Sequence, residues 1–269
     1  MAVTTPTMSR SSASTTATSR PSCSRAATSI GSFDFVAGCD IAYHITEPVL
    51  FAAVVVVHEI PGITPAVLRF AEEVVSAGFT VAMPNLVGTP GRGVSGKYLA
   101  SSMLKVCISR EFTTLATNQT SPVIAWLRAL ARKLHAEVGG KGVGAVGMCF
   151  SGGFALGMMV DDIMVAPVLS QPSLPFAIGG KRAVDLNLSP DDAAVVAQRA
   201  ADGCQVLGLR FTGDKLVGDR FSSLRSLLGD AFIAIELPSQ NSNDHSVLTE
   251  QRDEESVRRV LAFFAEKLK

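Results

Sequence analysis

The sequence has no apolar run that is long enough to cross a membrane. Its longest clearly apolar run covers residues 49–57, which is 9 residues, whereas a membrane-spanning helix needs about 20. Charge is also scarce, since charged residues make up 18% of the chain and the formal net charge is zero. An excess of positive charge is what attracts nucleic acid and anionic membrane surfaces. We therefore expect neither nucleic acid nor a membrane as a partner.

Paired cysteines are missing as well. The chain contains five cysteines, scattered along its length and odd in number. None of them forms a CxxC pair, and no spacing typical of metal ligands is present. Scattered thiols of this kind are typical of proteins in a reducing compartment. The sequence therefore predicts free thiols, no metal and a cytoplasmic location.

The first 32 residues lack acidic side chains and differ in composition from the rest. They are rich in Ser, Thr and Ala and contain three arginines, and the first acid is Asp34. No apolar segment typical of a secretory signal is present. Two interpretations stay open: a disordered tail or early start codon, and an organellar transit peptide. Residues 1–32 are left out of the predicted domain.

Beyond residue 33, apolar strand-like runs alternate with segments of helical apolar spacing. Hydrophobic residues make up 47% of the chain, which is enough for one large core. The alternation predicts an α/β domain over residues 33–269, with a mostly parallel sheet and helices on both faces. Functional side chains in such sheets lie on the loops after the carboxyl ends of strands. Pro84 is expected to end one strand, and residues 171–190 to form an extra loop.

One stretch combines a strand-like run, a cysteine and paired glycines. In VGAVGMCFSGGFALG, residues 143–157, Cys149 follows the apolar run. A strand, a tight turn that carries the nucleophile and a helix form the nucleophile elbow of hydrolases. Ser151 stands where that elbow usually has glycine, and the Phe150 N–H is placed to stabilise an oxyanion. The alternative is that Cys149 is an ordinary small core residue.

A nucleophilic cysteine needs a base and a group that orients the base. Hydrolases with this elbow order their triad as nucleophile, acid and histidine. His245 is the only histidine after Cys149, and Asp214 lies between them, just past a predicted strand. These three residues are the candidate triad. His58 is interpreted as a packing residue, because it points to the face of its strand opposite to Glu59.

Several segments together resemble the dienelactone hydrolases, enzymes of the α/β-hydrolase fold with a Cys-Asp-His triad. The segments are VVVVHEIPGI (54–63), FTVAMPNL (79–86), GAVGMCFSGGFAL (144–156), FTGD (211–214) and DHSV (244–247). The resemblance implies that Cys149 is the nucleophile, Asp214 the orienting acid and His245 the base. It also implies that Glu59 holds the resting thiol and helps to generate the thiolate. The backbone N–H groups of Ile60 and Phe150 would then form the oxyanion hole.

The resemblance also implies how a substrate carboxylate is held. The type enzymes use arginine together with the residue after the catalytic histidine, which is Ser246 here. Arg92 and Arg110 are the candidate arginines. Thr249 stands where a second substrate arginine of the type enzymes would fall, which is a departure from the family pattern.

The sequence therefore predicts a hydrolase that cleaves a small ester or lactone through a thioester on Cys149. The predicted substrates include dienelactone-like compounds that bear a carboxylate. This chemistry requires no cofactor and no metal. Two alternatives stay open: a general carboxylesterase or thioesterase with another substrate, and a binding protein that keeps the fold without turnover.

Overall fold

The computed structural model describes the backbone of residues 40–45 and, in full, residues 52–269. The predicted tail at residues 1–32 lies outside the described residues. Among the described residues, no helix is both long and apolar enough to span a bilayer.

Seven strands form one sheet in the order β1-β3-β2-β4-β5-β6-β7. Only β1 is antiparallel to its neighbour, and the other six strands are parallel. The predicted mostly parallel α/β architecture is therefore confirmed. The strands are β1 Asp40–Ile45, β2 Ala53–Val57, β3 Thr80–Asn85, β4 Val143–Met148, β5 Met164–Ser170, β6 Val206–Phe211 and β7 Phe232–Leu237.

Helices cover both faces of this sheet, and each face has its own apolar core. One core joins the sheet to α3, α4, α6 and α7, and the other joins it to α1 and α8. Strands β2 and β4 lie between the two cores and are buried throughout, which explains their continuous apolar sequence. The helices are α1 Pro65–Ser76, α2 Gly96–Ile108, α3 Val123–Val138, α4 Phe154–Met158, α5 Gly180–Ala183, α6 Pro190–Ala201, α7 Arg220–Leu228 and α8 Glu254–Leu268.

Pro84 does not end its strand, so that prediction was wrong. Strand β3 continues to Asn85, and Pro84 pairs with Ile41 of the edge strand. The register of this pair shifts between Ile41 and Tyr43, which marks a β-bulge or irregularity. Proline has no N–H to donate to a ladder, and bulges beside edge strands are where sheets tolerate it. On its other side, β3 pairs with β2 only as far as Ala82.

The predicted extra loop is fixed to the domain by a buried arginine. Residues 171–189 contain one short helix, α5, and begin with a buried stretch at residues 171–175. Arg220, at the start of α7, has no exposed surface. Its guanidinium donates hydrogen bonds to backbone carbonyls on both sides of it. These belong to Leu174, Pro175, Arg182 and Asp185 of the loop and to Leu216 and Val217 of its own segment.

Candidate active site

Cys149 lies at the tip of a sharp turn after β4. Its φ is +56°, a left-handed conformation that non-glycine residues rarely adopt and that often marks functional sites. A Cβ on Gly147 would lie 2.0 Å from the carbonyl oxygen of Ser151, so no larger residue fits there. The turn continues as a short 3₁₀ segment, Cys149–Ser151, before α4 begins at Phe154. This arrangement is the strand, turn and helix of a nucleophile elbow.

Ser151, the departure from the usual elbow glycine, fastens the turn to the neighbouring strand. Its hydroxyl accepts a hydrogen bond from the Met148 N–H at 2.9 Å. The hydroxyl proton has two acceptors at the end of β2, the carbonyl oxygens of Val57 and His58, each at 3.0 Å. The serine therefore ties the end of β4 to the end of β2, and the fully buried hydroxyl is satisfied.

Asp214 and His245 come together from two neighbouring strand ends. Asp214 follows β6 and His245 follows β7. His245 Nδ1 donates a hydrogen bond to Asp214 Oδ2 at 2.6 Å. The other Asp214 oxygen accepts from the Leu216 N–H at 3.0 Å. The aspartate therefore fixes the ring orientation and leaves Nε2 available for chemistry, as a triad requires.

The environment of His245 favours its protonated form. Burial of the ring opposes protonation, but the negative charges of the Cys149 sulfur and of Asp214 outweigh burial and raise the pKa of His245. Nε2 itself is buried, and the contribution of Cys149 to the raised pKa includes a side-chain hydrogen bond. The ring therefore lies beside the Cys149 sulfur.

Asp244 is adjacent to His245 in sequence, but its hydrogen bonds differ from those of Asp214. Its carboxylate accepts hydrogen bonds from the N–H groups of Gln240 (2.6 Å) and Asn241 (2.8 Å). It therefore shapes the loop that carries His245, and Asp214 alone orients the ring.

Glu59 is buried at the end of β2, with 3% of its surface exposed. Ser246 Oγ donates to Glu59 Oε2 at 2.7 Å, Gln171 Nε2 donates to the same oxygen at 3.2 Å, and Thr249 Oγ1 donates to Oε1. Burial raises the pKa of Glu59, and the hydrogen bonds from Thr249 and Ser246 oppose that rise. These three neutral side chains are the hydrogen-bond donors to Glu59 among the described residues. That Glu59 holds the Cys149 thiol stays a prediction.

Ile60 and Phe150 occupy equivalent positions on neighbouring strand ends. Val57 of β2 is in register with Gly147 of β4, and Ile60 and Phe150 each follow three residues later. Both residues are buried beside the elbow. The register therefore brings the two predicted oxyanion-hole segments to the same edge of the sheet.

Of the predicted substrate-binding residues, only Ser246 contacts the other site residues, through Glu59. Arg92 is exposed, and its guanidinium lies over the Tyr98 ring at 4.4 Å. Arg110 is also exposed, in the 3₁₀ turn after α2. The described hydrogen bonds connect neither arginine to the triad or to Glu59.

His58 packs beneath the site, as its position in the strand predicts. Its Nε2 accepts hydrogen bonds from the N–H groups of Leu86 (3.0 Å) and Val87 (3.4 Å). Burial lowers the pKa of His58 to about 4, so the ring is neutral at pH 7. It fixes the end of β2 to the loop after β3.

Residues 41–171 match the model of the dienelactone hydrolase family. Over this segment, which is just under half of the chain, the sequence is similar to the dienelactone hydrolase family. The matched segment includes Glu59 and Cys149, and it ends before Asp214 and His245. A comparison with curated proteins found no match.

Several solved hydrolase structures share the fold of this chain at low sequence identity. A dienelactone hydrolase from Anabaena variabilis gives a TM-score of 0.60 at 14% identity, over 91% of this chain and 98% of that one. A cold-adapted esterase from an Arctic intertidal metagenomic library gives 0.54 at 17% identity, over 83% and 85%. A dienelactone hydrolase-like promiscuous phosphotriesterase from metagenomic libraries gives 0.53 at 18% identity, over 83% and 89%. These likenesses establish the α/β-hydrolase type of fold.

Sequence reasoning missed Gln171, which belongs to the same cluster. It follows β5 directly, adopts a φ of +35°, and is fully buried. The next residues are tied to the elbow, because the Ser173 N–H donates to the Cys149 carbonyl at 3.0 Å. A signal was present in the sequence, since a polar residue directly after a buried parallel strand is a candidate for the site.

Among the described residues, no group of His, Cys, Asp and Glu side chains is arranged to hold a metal ion.

Proposed function

We propose that this protein is a member of the dienelactone hydrolase family and cleaves a small carboxylic ester or lactone, with Cys149 as the nucleophile. The observation that carries the proposal is the elbow cysteine at positive φ, near a histidine whose Nδ1 is bound by Asp214. A structural cysteine has no need of a strained backbone or of a neighbouring histidine that an aspartate orients.

The chemistry follows from these positions. The Cys149 thiolate adds to the ester carbonyl, and the oxyanion receives hydrogen bonds from the Ile60 and Phe150 N–H groups, each supplying about 3 kcal/mol of barrier lowering. Protonated His245 gives its proton to the leaving alkoxide, so the carbon–oxygen bond breaks and a thioester forms. Neutral His245 then removes a proton from water, which attacks the thioester. The acid is released, and the thiolate and the imidazolium are restored.

The substrate follows less directly from the site. Dienelactone-like lactones that bear a carboxylate are the substrates that the family pattern favours. A second candidate is an uncharged ester, as for a general carboxylesterase or thioesterase. The observation that favours this candidate is the set of neutral donors on Glu59: Ser246, Thr249 and Gln171.

A substrate panel with matched cysteine variants tests the proposal. Purified protein is assayed with a dienelactone, an uncharged butenolide, p-nitrophenyl acetate and a simple thioester. Cys149→Ala is expected to abolish turnover, whereas Cys107→Ala, which changes an exposed cysteine, is expected to keep it. Mass spectrometry of a rapidly quenched reaction should detect the acyl group on Cys149.

The pattern of outcomes separates the candidates. Turnover of the dienelactone above the uncharged esters supports the carboxylate-bearing substrate, and the reverse order supports the general esterase. Turnover that survives in Cys149→Ala would overturn the nucleophile assignment. The binding-protein alternative predicts no turnover of any substrate and no acyl adduct.

A further inference from the structure

The solvent side of α2 carries more large apolar side chains than the side that packs on the domain. Only Tyr98, Ser102 and Val106 of this 13-residue helix are buried. A surface helix normally turns its apolar stripe toward the core, and here large apolar side chains point outward instead. Four of them, 37–72% exposed, define what we call the α2 face: Leu99, Met103, Leu104 and Ile108.

The apolar surface continues past the C-terminal end of the helix. Thr114 Oγ1 donates to the Cys107 carbonyl at 3.4 Å, which places Leu115 beside that end. Arg182 donates to the carbonyls of Leu115 (2.9 Å) and Ile178 (3.0 Å) and so joins the two. Leu115 is 51% exposed and Ile178 is 65% exposed. Contiguous exposed apolar surface of this kind marks an interaction site.

The charges along α2 and at its ends are predominantly positive. Residues 74–111 contain four basic side chains and one acidic one, the partly exposed Glu111. The four are exposed and lie on the helix or just beyond its ends: Arg92, Lys97, Lys105 and Arg110. A partner for this surface therefore has to combine negative charge with an apolar interior.

We propose that the α2 face docks onto an anionic lipid surface. Aliphatic side chains flanked by lysine and arginine are what an interfacial helix presents to lipid, with the basic groups at the headgroups and the apolar ones below them. The long lysine stems can extend along the same apolar surface. The cores of protein interfaces are enriched in aromatic residues and depleted of lysine, whereas the α2 face has no aromatic side chain and has two lysines beside it.

Charge complementarity argues against two other occupants. A second copy of the chain would bring its own four cations against these four. The chain's residues 1–33 carry three arginines and no acid, so they have the same sign as the α2 face. The expectation of no membrane partner rested on the net charge of the whole chain, which averages out the positive segment at residues 74–110.

Docking would bring lipid near the candidate active site. Phe112, which follows α2, packs edge-on against Phe150, with 5.5 Å between ring centroids. Phe150 is the residue after Cys149. If the proposed esterase function holds, the α2 face would place the elbow beside a lipid surface in which apolar esters dissolve. This consequence rests on the proposed function, whereas the docking itself does not.

Vesicle co-sedimentation tests the docking without reference to activity. The full chain is mixed at low salt with vesicles of phosphatidylcholine alone, or with 30% phosphatidylglycerol. Binding is expected to the phosphatidylglycerol vesicles and to weaken as salt rises. The double variants Leu104→Ser/Ile108→Ser and Lys97→Glu/Lys105→Glu are each expected to lower the partition coefficient at least tenfold.

Matched controls separate the α2 face from other surfaces. Val195→Ser/Leu216→Ser removes exposed apolar side chains elsewhere, and Arg69→Glu/Lys141→Glu reverses exposed charges elsewhere, so both should bind like the parent chain. Circular dichroism melts check that every variant is folded. Binding that is absent, or equal in α2 and control variants, overturns the proposal. So does a dimer in light scattering that Leu104→Ser/Ile108→Ser converts to monomer, because a second copy would then be the occupant.

Discussion

The pairing of Cys149 with His245 makes a prediction about thiol reactivity. Cys149 and Asp214 raise the pKa of His245 against the opposing effect of burial, so the ring carries a positive charge beside the Cys149 sulfur from acid pH to well above neutrality. Because a neighbouring positive charge makes a cysteine more reactive, iodoacetamide should alkylate Cys149 faster than exposed Cys107 at pH 6. In His245→Asn, the rate at pH 6 should fall at least tenfold and should rise with pH.

Peptide mass spectrometry follows each cysteine in the same sample. Exposed Cys107 serves as the internal control, and its alkylation should increase with pH in both proteins. If the alkylation rate of Cys149 depends on pH identically in the parent chain and in His245→Asn, the proposed ion pair between His245 and Cys149 is contradicted.

The buried carboxylate of Glu59 gives a second prediction at the scale of single residues. Thr249→Val has nearly the same shape but removes one hydrogen bond to Glu59. Because a buried carboxyl oxygen would lose this partner, the free energy of unfolding should fall by about 2 kcal/mol. Urea denaturation measures this change, and Thr249→Ser, which keeps the hydroxyl, is the control. Equal losses in both variants would show that packing, rather than the hydrogen bond, matters at this position.

At the scale of elements, the loop at residues 171–189 depends on Arg220. Its guanidinium satisfies carbonyls on both sides of the loop, and lysine cannot reach them in the same fork geometry. Arg220→Lys should lower the free energy of unfolding by about 3 kcal/mol, because buried acceptors lose their partners. Thermal melts and limited proteolysis measure the effect, and cleavage between residues 176 and 184 should increase.

Arg225 in the same helix provides the matched control. It is about half exposed and pairs with Glu236 on the surface, so Arg225→Lys should change stability by less than about 1 kcal/mol. A melt of Arg220→Lys that matches Arg225→Lys would mean that the loop does not depend on Arg220.

The same elements show what sequence reasoning can reach. The alternation of apolar strand-like runs with segments of helical apolar spacing predicted the parallel sheet. The rule that functional sites lie at the carboxyl ends of strands selected Cys149, Asp214 and His245. That rule depends on short-range sequence patterns, which can be recognised directly in the chain. Arg220 acts through carbonyls that are 35 to 46 residues away in the chain, and no local pattern encodes such contacts. Pro84 was misjudged because its tolerance depends on a bulge formed with a distant edge strand.

At the scale of the whole molecule, buried His58 makes stability depend on pH. Its pKa falls from 6.5 to about 4 on folding, because burial disfavours the charged ring. Between these values the unfolded chain binds a proton that the folded chain does not, so stability rises with pH there. The contribution of neutral His58 to the free energy of unfolding is complete above pH 6.5 and is lost as the pH falls through 4. It amounts to about 3 kcal/mol. Acid should therefore weaken the whole domain.

The test compares urea unfolding of the parent chain with that of His58→Gln between pH 7 and 4. Glutamine can still accept from the Leu86 N–H but cannot titrate, so stability should fall less with acid in the variant. The difference between the two curves isolates His58 from the carboxylates, which titrate in both proteins. Glutamine does not titrate, so replacing His58 removes any contribution of that ring to the slope of stability against pH. If the free energy of unfolding falls with acid equally in His58→Gln and the parent chain, the acid sensitivity arises elsewhere.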